Sequence, residues 1–413
     1  MTEDKLLKRA ASYSLLLMVC VIAFSIGIHP PAESISYAGE ITPVLSPTPL
    51  IEKEIEAKPT ALPLIDVTFD RYHYLPYEIS EEMKKTLGDN FIVIEKPTDL
   101  ASGYSITLED LSVDRRIIIT IQGVATDTIA IQKIHRFFGD DYHMDLPILT
   151  EMTGNEGQTG VDPLTSIAVM HSAPNENGYK TATITMDLIK TYAYTIHEDE
   201  HYFYIRLARP KDVYDKIVVL DAGHGGIDSG TYSKGYEYLE KMMNLDMVLR
   251  LSAYLDEDPS IKVYTTRTTD RRLTLNQRVN LANDVEADFF LSIHCNSNLS
   301  KKISGTEVLY NDKQNDWNGM NSKLFARICL DELVKAIDLK DRGIVPRSHD
   351  VHIIGEAQVP VALVEVAFMS NSSDLNFLKK EENRQLAAEG IYNGIMRAFE
   401  EKASMNEERE EYE

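Results

Sequence analysis

From Lys216 onward the chain alternates short, unbroken apolar runs with longer stretches in which apolar residues recur at helical spacing. The runs at 217–220, 261–266, 288–293, 306–310 and 361–366 predict strands, because strands covered on both faces lack polar alternation. Between them, 240–256, 275–286, 322–337 and 383–400 predict helices, with Leu245, Val248, Leu249 and Leu255 on one face of the first and Leu275, Val279 and Ala282 on one face of the second. Thr274 and Gln277 have the spacing of a capping box at the second helix's start. This alternation implies an α/β domain over about 215–400: a mainly parallel twisted sheet flanked by helices.

Upstream, over 64–210, the pattern changes to short β-rich runs separated by turn residues. Residues 117–122 read as a strand, 167–171 and 181–186 flank an Asn-Glu-Asn-Gly turn, and 191–197 pairs with 201–207. Hairpins at this spacing predict a β-sandwich, an accessory domain over 64–210. Tyr192, Tyr194, Tyr202 and Tyr204 alternate along its last hairpin, where cross-strand packing is favoured over stacking on sugars.

The first 63 residues follow neither pattern. Lys5, Lys8 and Arg9 precede an apolar run from about 10 to 28, which predicts a signal peptide or membrane anchor over 1–29. Residues 30–63 hold seven of the 16 prolines and read as an extended linker. At the other end, 401–413 reads as an acidic tail.

Composition narrows the partners. A formal charge of −23 argues against nucleic acid and against anionic lipid surfaces. Three cysteines, Cys20, Cys295 and Cys329, cannot build a disulfide framework.

Three predicted strands end in residues suited to metal chemistry. His224 lies in a glycine-rich turn with Gly223, Gly225, Gly226 and Gly230, His294 follows an apolar run, and Glu365 follows 361–364. A buried ionisable group is costly without a partner, and strand ends of one parallel sheet converge on one edge. A catalytic zinc takes three protein ligands and leaves a position open, with a further carboxylate free as base. Spacing alone leaves Glu237, Glu240, Asp228 and Asp246 as candidates for the third ligand.

Five motifs in order resemble those of the zinc-dependent N-acetylmuramoyl-L-alanine amidases, which cut peptide stems from bacterial peptidoglycan. They are Asp221-Ala-Gly-His-Gly-Gly226, Leu239-Glu-Lys-Met-Met-Asn-Leu245, Arg278 to Asn283 with Ala287-Asp288, Ser292-Ile-His-Cys-Asn-Ser297, and Pro360 to Asn371. The resemblance covers about 216–400. It implies that His224, Glu240 and His294 bind one Zn²⁺, that Glu365 is the catalytic carboxylate, and that the substrate is peptidoglycan outside the cytoplasm. Membrane contact, if the leader is uncut, is then through the N-terminal segment.

Some positions depart from the family pattern: Ala222 and Ser229 stand where proline is frequent, Cys295 where alanine is common, and Gly355 where an arginine is often found. The stretch between His294 and Glu365 has no room for the long occluding insertion of some relatives, which predicts an open site. Cys295 beside His294 resembles a nucleophile pair, but strand neighbours point to opposite faces. His349 and His352 read as surface or substrate-rim residues, Asp221 as orienting the His224 loop, and Arg278 with Asn283 as holding their helix to the loop that carries His294. A catalytically silent wall-binding protein predicts loss of a ligand or the base, and all four positions are present. A zinc peptidase or deacetylase shares the same ligand logic.

Overall fold

The computed structural model describes residues 72, 74–138, 141–143, 163–314 and 319–410. The expected leader and Pro-rich linker lie outside the described residues. The described residues all fall within one compact unit.

Its first half is built from helix α1 (Glu81–Leu87) and strands β1 (Asn90–Glu95), β2 (Leu100–Leu111), β3 (Arg116–Val124), β4 (Ile134–Phe138), β5 (Asp141–His143), β6 (Leu164–His171), β7 (Lys180–Leu188), β8 (Ala193–Glu198) and β9 (Tyr202–Ala208). These form two antiparallel sheets, ordered β5-β4-β1-β9-β8 and β2-β3-β7-β6. Alternation places Ile117, Ile119, Ile121, Ile184 and Met186 of one sheet against Ile92, Ile94, Phe203 and Ile205 of the other in one buried cluster. The expected sandwich is therefore present. Tyr202 and Tyr204 project from the opposite face of β9 and are fully buried. Their hydroxyls donate to the Tyr77 carbonyl and to Asp199, so this pair packs and offers no sugar platform.

The second half contains β10 (Lys216–Ala222), α2 (Glu240–Leu255), β11 (Ile261–Thr265), α3 (Leu275–Asp284), β12 (Phe289–Asn296), β13 (Thr306–Tyr310), α4 (Ser322–Ile337), β14 (Asp341–Pro346), α5 (His352–Gly355), β15 (Val361–Phe368), α6 (Ser372–Lys379) and α7 (Glu381–Glu410). One sheet runs β11-β10-β12-β15-β13-β14. Four of its pairings are parallel, whereas β13 is antiparallel to β15. Only a short loop links β12 to β13, too short for the helical crossover that a parallel return needs. Alternate residues of the central strands face α2, α4 and α7 on one side and α3 and α5 on the other. Two residues expected on buried helix faces, Leu249 and Leu275, are exposed. The Thr274–Gln277 capping box forms as expected.

The segment expected to begin an acidic tail continues α7 to Glu410. Its Lys402 is buried against Asp288, which also accepts from Lys211 and from the Ile217 backbone, so charge pairing ties this turn to the sheet.

Specific polar contacts seat the sandwich on the α/β half. Arg115 reaches Asp284 through Nε and Nη2 at 2.7 and 2.9 Å, while Arg271 and Gln277 both donate to Asp114. A forked guanidinium–carboxylate contact fixes orientation as well as distance.

Candidate metal centre

The site lies at the carboxyl edge of the central strands. β10 ends at Ala222, and the chain then makes a tight hairpin in which the Gly225 and Asp228 backbones bond each other. His224 takes a left-handed conformation, φ 62°, which for a residue with a Cβ costs about 1–2 kcal/mol. Two buried arginines hold this loop. Arg278 donates to the carbonyls of Ala222 and His224 at 2.8 and 2.6 Å, and Arg267 to those of Ala222, Gly223 and Lys241. Asp221 receives Arg278, Thr266 and Ser292. Burial opposes its ionisation, but the Arg278 charge and the two hydroxyls hold its carboxyl below the usual range.

Close approach explains two glycines. A Cβ on Gly223 would lie 2.2 Å from the His294 ring, and one on Gly230 would lie 2.5 Å from a Glu240 oxygen.

His224 Nε2 and His294 Nδ1 stand 3.1 and 3.0 Å from Glu240 Oε1. Ligand atoms of these three residues all lie within 4.8 Å of one another, the one such group found among the described residues. Glu240 opens α2 and is 4% exposed. Its Oε2 accepts from the Thr231 backbone at 2.8 Å, and its Oε1 faces the Cys295 N–H and Asn244 Nδ2. Asp228 sits 2.9 Å from His224 Nδ1, which directs the other nitrogen toward Glu240. Burial disfavours the charged imidazole, yet Glu240 and Asp228 together push His224 up to about 9. Glu240 is held well below the carboxylate range by the two imidazoles, against the effect of its burial. A buried carboxylate facing two imidazole nitrogens attracts positive charge. Two nitrogens and one carboxylate oxygen, with both histidines partly open to solvent, also match the donor set of a catalytic zinc. The other sequence candidates do not converge here: Glu237 is exposed, Asp228 holds the far side of His224, and Asp246 pairs with Arg250 and Arg384.

Glu365 on β15 is the direct cross-strand partner of His294 on β12. One of its oxygens, Oε2, is buried and makes no hydrogen bond. Burial, reinforced by the Glu240 and Glu307 carboxylates and opposed by the two histidines, pushes its carboxyl up to about 7.

Residues 218–397 match the family described as N-acetylmuramoyl-L-alanine amidase. A germination-specific N-acetylmuramoyl-L-alanine amidase of Bacillus subtilis is 35% identical over 201 residues, covering 45% of this chain and 81% of that protein. The chain belongs to the N-acetylmuramoyl-L-alanine amidase family. It is an enzyme of that class, acting on peptidoglycan. The amidase is also similar to the uncharacterized B. subtilis protein YqiI, 39% identical over 44% of this chain and 83% of that protein. Similarity to the B. subtilis N-acetylmuramoyl-L-alanine amidase LytC is 34% over 45% of this chain and 36% of that protein.

Other residues singled out from the sequence fall into place around the amidase site. Cys295 points to the opposite, buried face with its thiol raised well above the usual value by burial, which removes it as a nucleophile. His352 bonds Asn276 and His349 is exposed near Asp350, so neither joins the metal ligand group. Arg278 holds the His224 loop, not the His294 loop expected, and Asn283 bonds the Glu356 carbonyl and the Gln358 N–H ahead of β15. The glycine at 355 has a steric cause: a Cβ there would meet the Ser348 carbonyl at 2.4 Å. Arg267 escaped sequence reading. Its position just past the apolar run of β11 was the available signal, since a buried guanidinium must find several acceptors.

Proposed function

We propose that the chain hydrolyses the amide between the lactyl group of N-acetylmuramic acid and L-alanine, with His224, Glu240 and His294 holding one Zn²⁺ and Glu365 as general base. The single observation that carries this reading is the convergence of three metal-competent ligands beside a carboxylate with a buried, unpartnered oxygen. When bound, zinc polarises the lactyl carbonyl and acidifies water. Glu365, across the strand pair from His294, takes the proton of the attacking water and returns it to the departing alanine amine. Asp228 orients His224, while Arg278 and Arg267 keep its loop in the left-handed turn.

The same proposal extends to organisation: an N-terminal signal or anchor over 1–29, a linker over 30–63, a wall-targeting sandwich over 64–210, and action outside the cytoplasm. No helix of the described residues is long and apolar enough to cross a membrane.

Digestion of purified peptidoglycan tests the reaction. New alanine amino termini with intact glycan are expected, and free acetate or cleavage inside the peptide would sink the reading. Chelation should abolish turnover and added zinc restore it. Glu365→Gln should keep its zinc and lose turnover; a fully active variant excludes Glu365 as the base.

A further inference from the structure

His294 and Glu365 belong to a longer row across the sheet. Glu365 is the direct partner of His294 on one side and of Glu307, on β13, on the other. Residues directly opposite one another share a face, so the three side chains project together. The next strand, β14, adds Arg342, whose Nε donates to Glu307 Oε2 at 3.0 Å. Its guanidinium carbon also lies 5.1 Å from the centroid of the buried Phe368 ring.

Glu307 is fully engaged. Its Oε1 accepts from Asn296 Nδ2 at 2.8 Å while Oε2 receives Arg342. It therefore serves to hold, and does not compete as base or ligand. Arg342 is held on two sides, by a carboxylate and an aromatic face, yet commits only Nε to hydrogen bonding among the described residues. Both Nη groups stay available on a side chain 25% exposed. A guanidinium fixed through Nε presents a planar pair of donors, which suits a second carboxylate.

The substrate's chemistry says which side of the scissile bond faces it. The muramoyl side carries hydroxyl and acetamido groups, its one carboxyl being used in the amide, whereas the peptide side carries free carboxylates. Two strand spacings, about 10 Å, separate β15 from β14, and Arg342 folds back over Phe368 at the end of β15. At about 3.5 Å per residue, a carboxylate on the residue after alanine lies about 7 Å from the scissile nitrogen, within that span.

Resting on the zinc-amidase reading above, we propose that Arg342 is a specificity-determining residue whose Nη groups bind the carboxylate of the stem-peptide residue that follows alanine. Glu307 and Phe368 are its positioning residues.

Two muramoyl peptides, alike except that the second residue's carboxyl is free in one and amidated in the other, test this on the full chain. Arg342→Ala should raise KM for the free acid by about ten- to hundredfold, the worth of a charged hydrogen-bonded contact. It should leave KM for the amide and kcat for both unchanged, and Arg342→Lys should recover part of the loss. Equal effects on the two substrates, or none, would overturn the assignment. Where Arg342→Ala melts early, Arg342→Gln keeps a donor for Glu307 and answers the same question. The two readings fail separately: an active Glu365→Gln enzyme that still discriminates removes the base alone, and an inert one beside an undiscriminating Arg342 removes the subsite alone.

Discussion

Gly223→Ala is the smallest change that should disable this enzyme. The added Cβ would sit 2.2 Å from both Cε1 and Nε2 of His294, where ordinary contact begins at 3.4 Å. The ring must therefore retreat by about 1.2 Å, the difference of those distances, or the strand end must yield. A misplacement of about 1 Å in a reacting constellation costs on the order of a hundredfold in rate, and overpacking costs about 1–3 kcal/mol in stability. Dye release from labelled peptidoglycan should fall by about a hundredfold in kcat/KM, with zinc content reduced and a melting curve that stays cooperative. Gly103→Ala is the control, because nothing lies within 4 Å of its Cβ and its φ is ordinary. Activity of Gly223→Ala within about twofold of the parent, with full zinc, would refute the packing argument.

Arg278→Ala should cost about 3–5 kcal/mol in urea unfolding, because it strips the fully buried Asp221 of its cation and the His224 carbonyl of its donor. Arg278→Lys should recover little, since one ammonium cannot replace the planar fork; a loss under about 1 kcal/mol for the alanine variant would remove Arg278 as the loop's anchor. Asp246 predicts part of the acid limb of stability. Burial raises its carboxyl, but Arg250 and Arg384 outweigh that and hold it below the ordinary value. Its contribution is thus present above the unfolded value of about 4 and is lost as pH falls through the lower folded value. Asp246→Asn should flatten stability against pH below about 4, and an unchanged acid limb would show that the pairs contribute nothing there.

The local parts of this molecule could be read from the chain because their causes are local. Continuous apolar runs mark β10, β12 and β15, since a strand buried on both faces has no polar side to show. The capping box at Thr274 depends on two residues three apart. β14 was missed because Asp-Arg-Gly opens it and it lies at the sheet's edge, where burial is incomplete and the apolar signal is weak. The buried tail turn at Lys402 was missed because its partner, Asp288, is far away in sequence.

By itself the sequence determined the strand and helix alternation, the three strand-end residues His224, His294 and Glu365, and, through five ordered motifs, the family resemblance. Spacing left open which acid faces the two imidazoles; the motif resemblance implied Glu240, and the tertiary structure brings that residue to them. Glu240, the first residue of α2, lies 3.1 and 3.0 Å from the two rings, whereas Glu237 is exposed and Asp246 pairs with arginines. Structure alone decided that β13 returns antiparallel, which sets Glu307, and through it Arg342, in line with Glu365. The physical reason is the same in both cases. Spacing along the chain governs which residues share a strand or helix face, but metal coordination and cross-strand rows are set by packing between segments many residues apart.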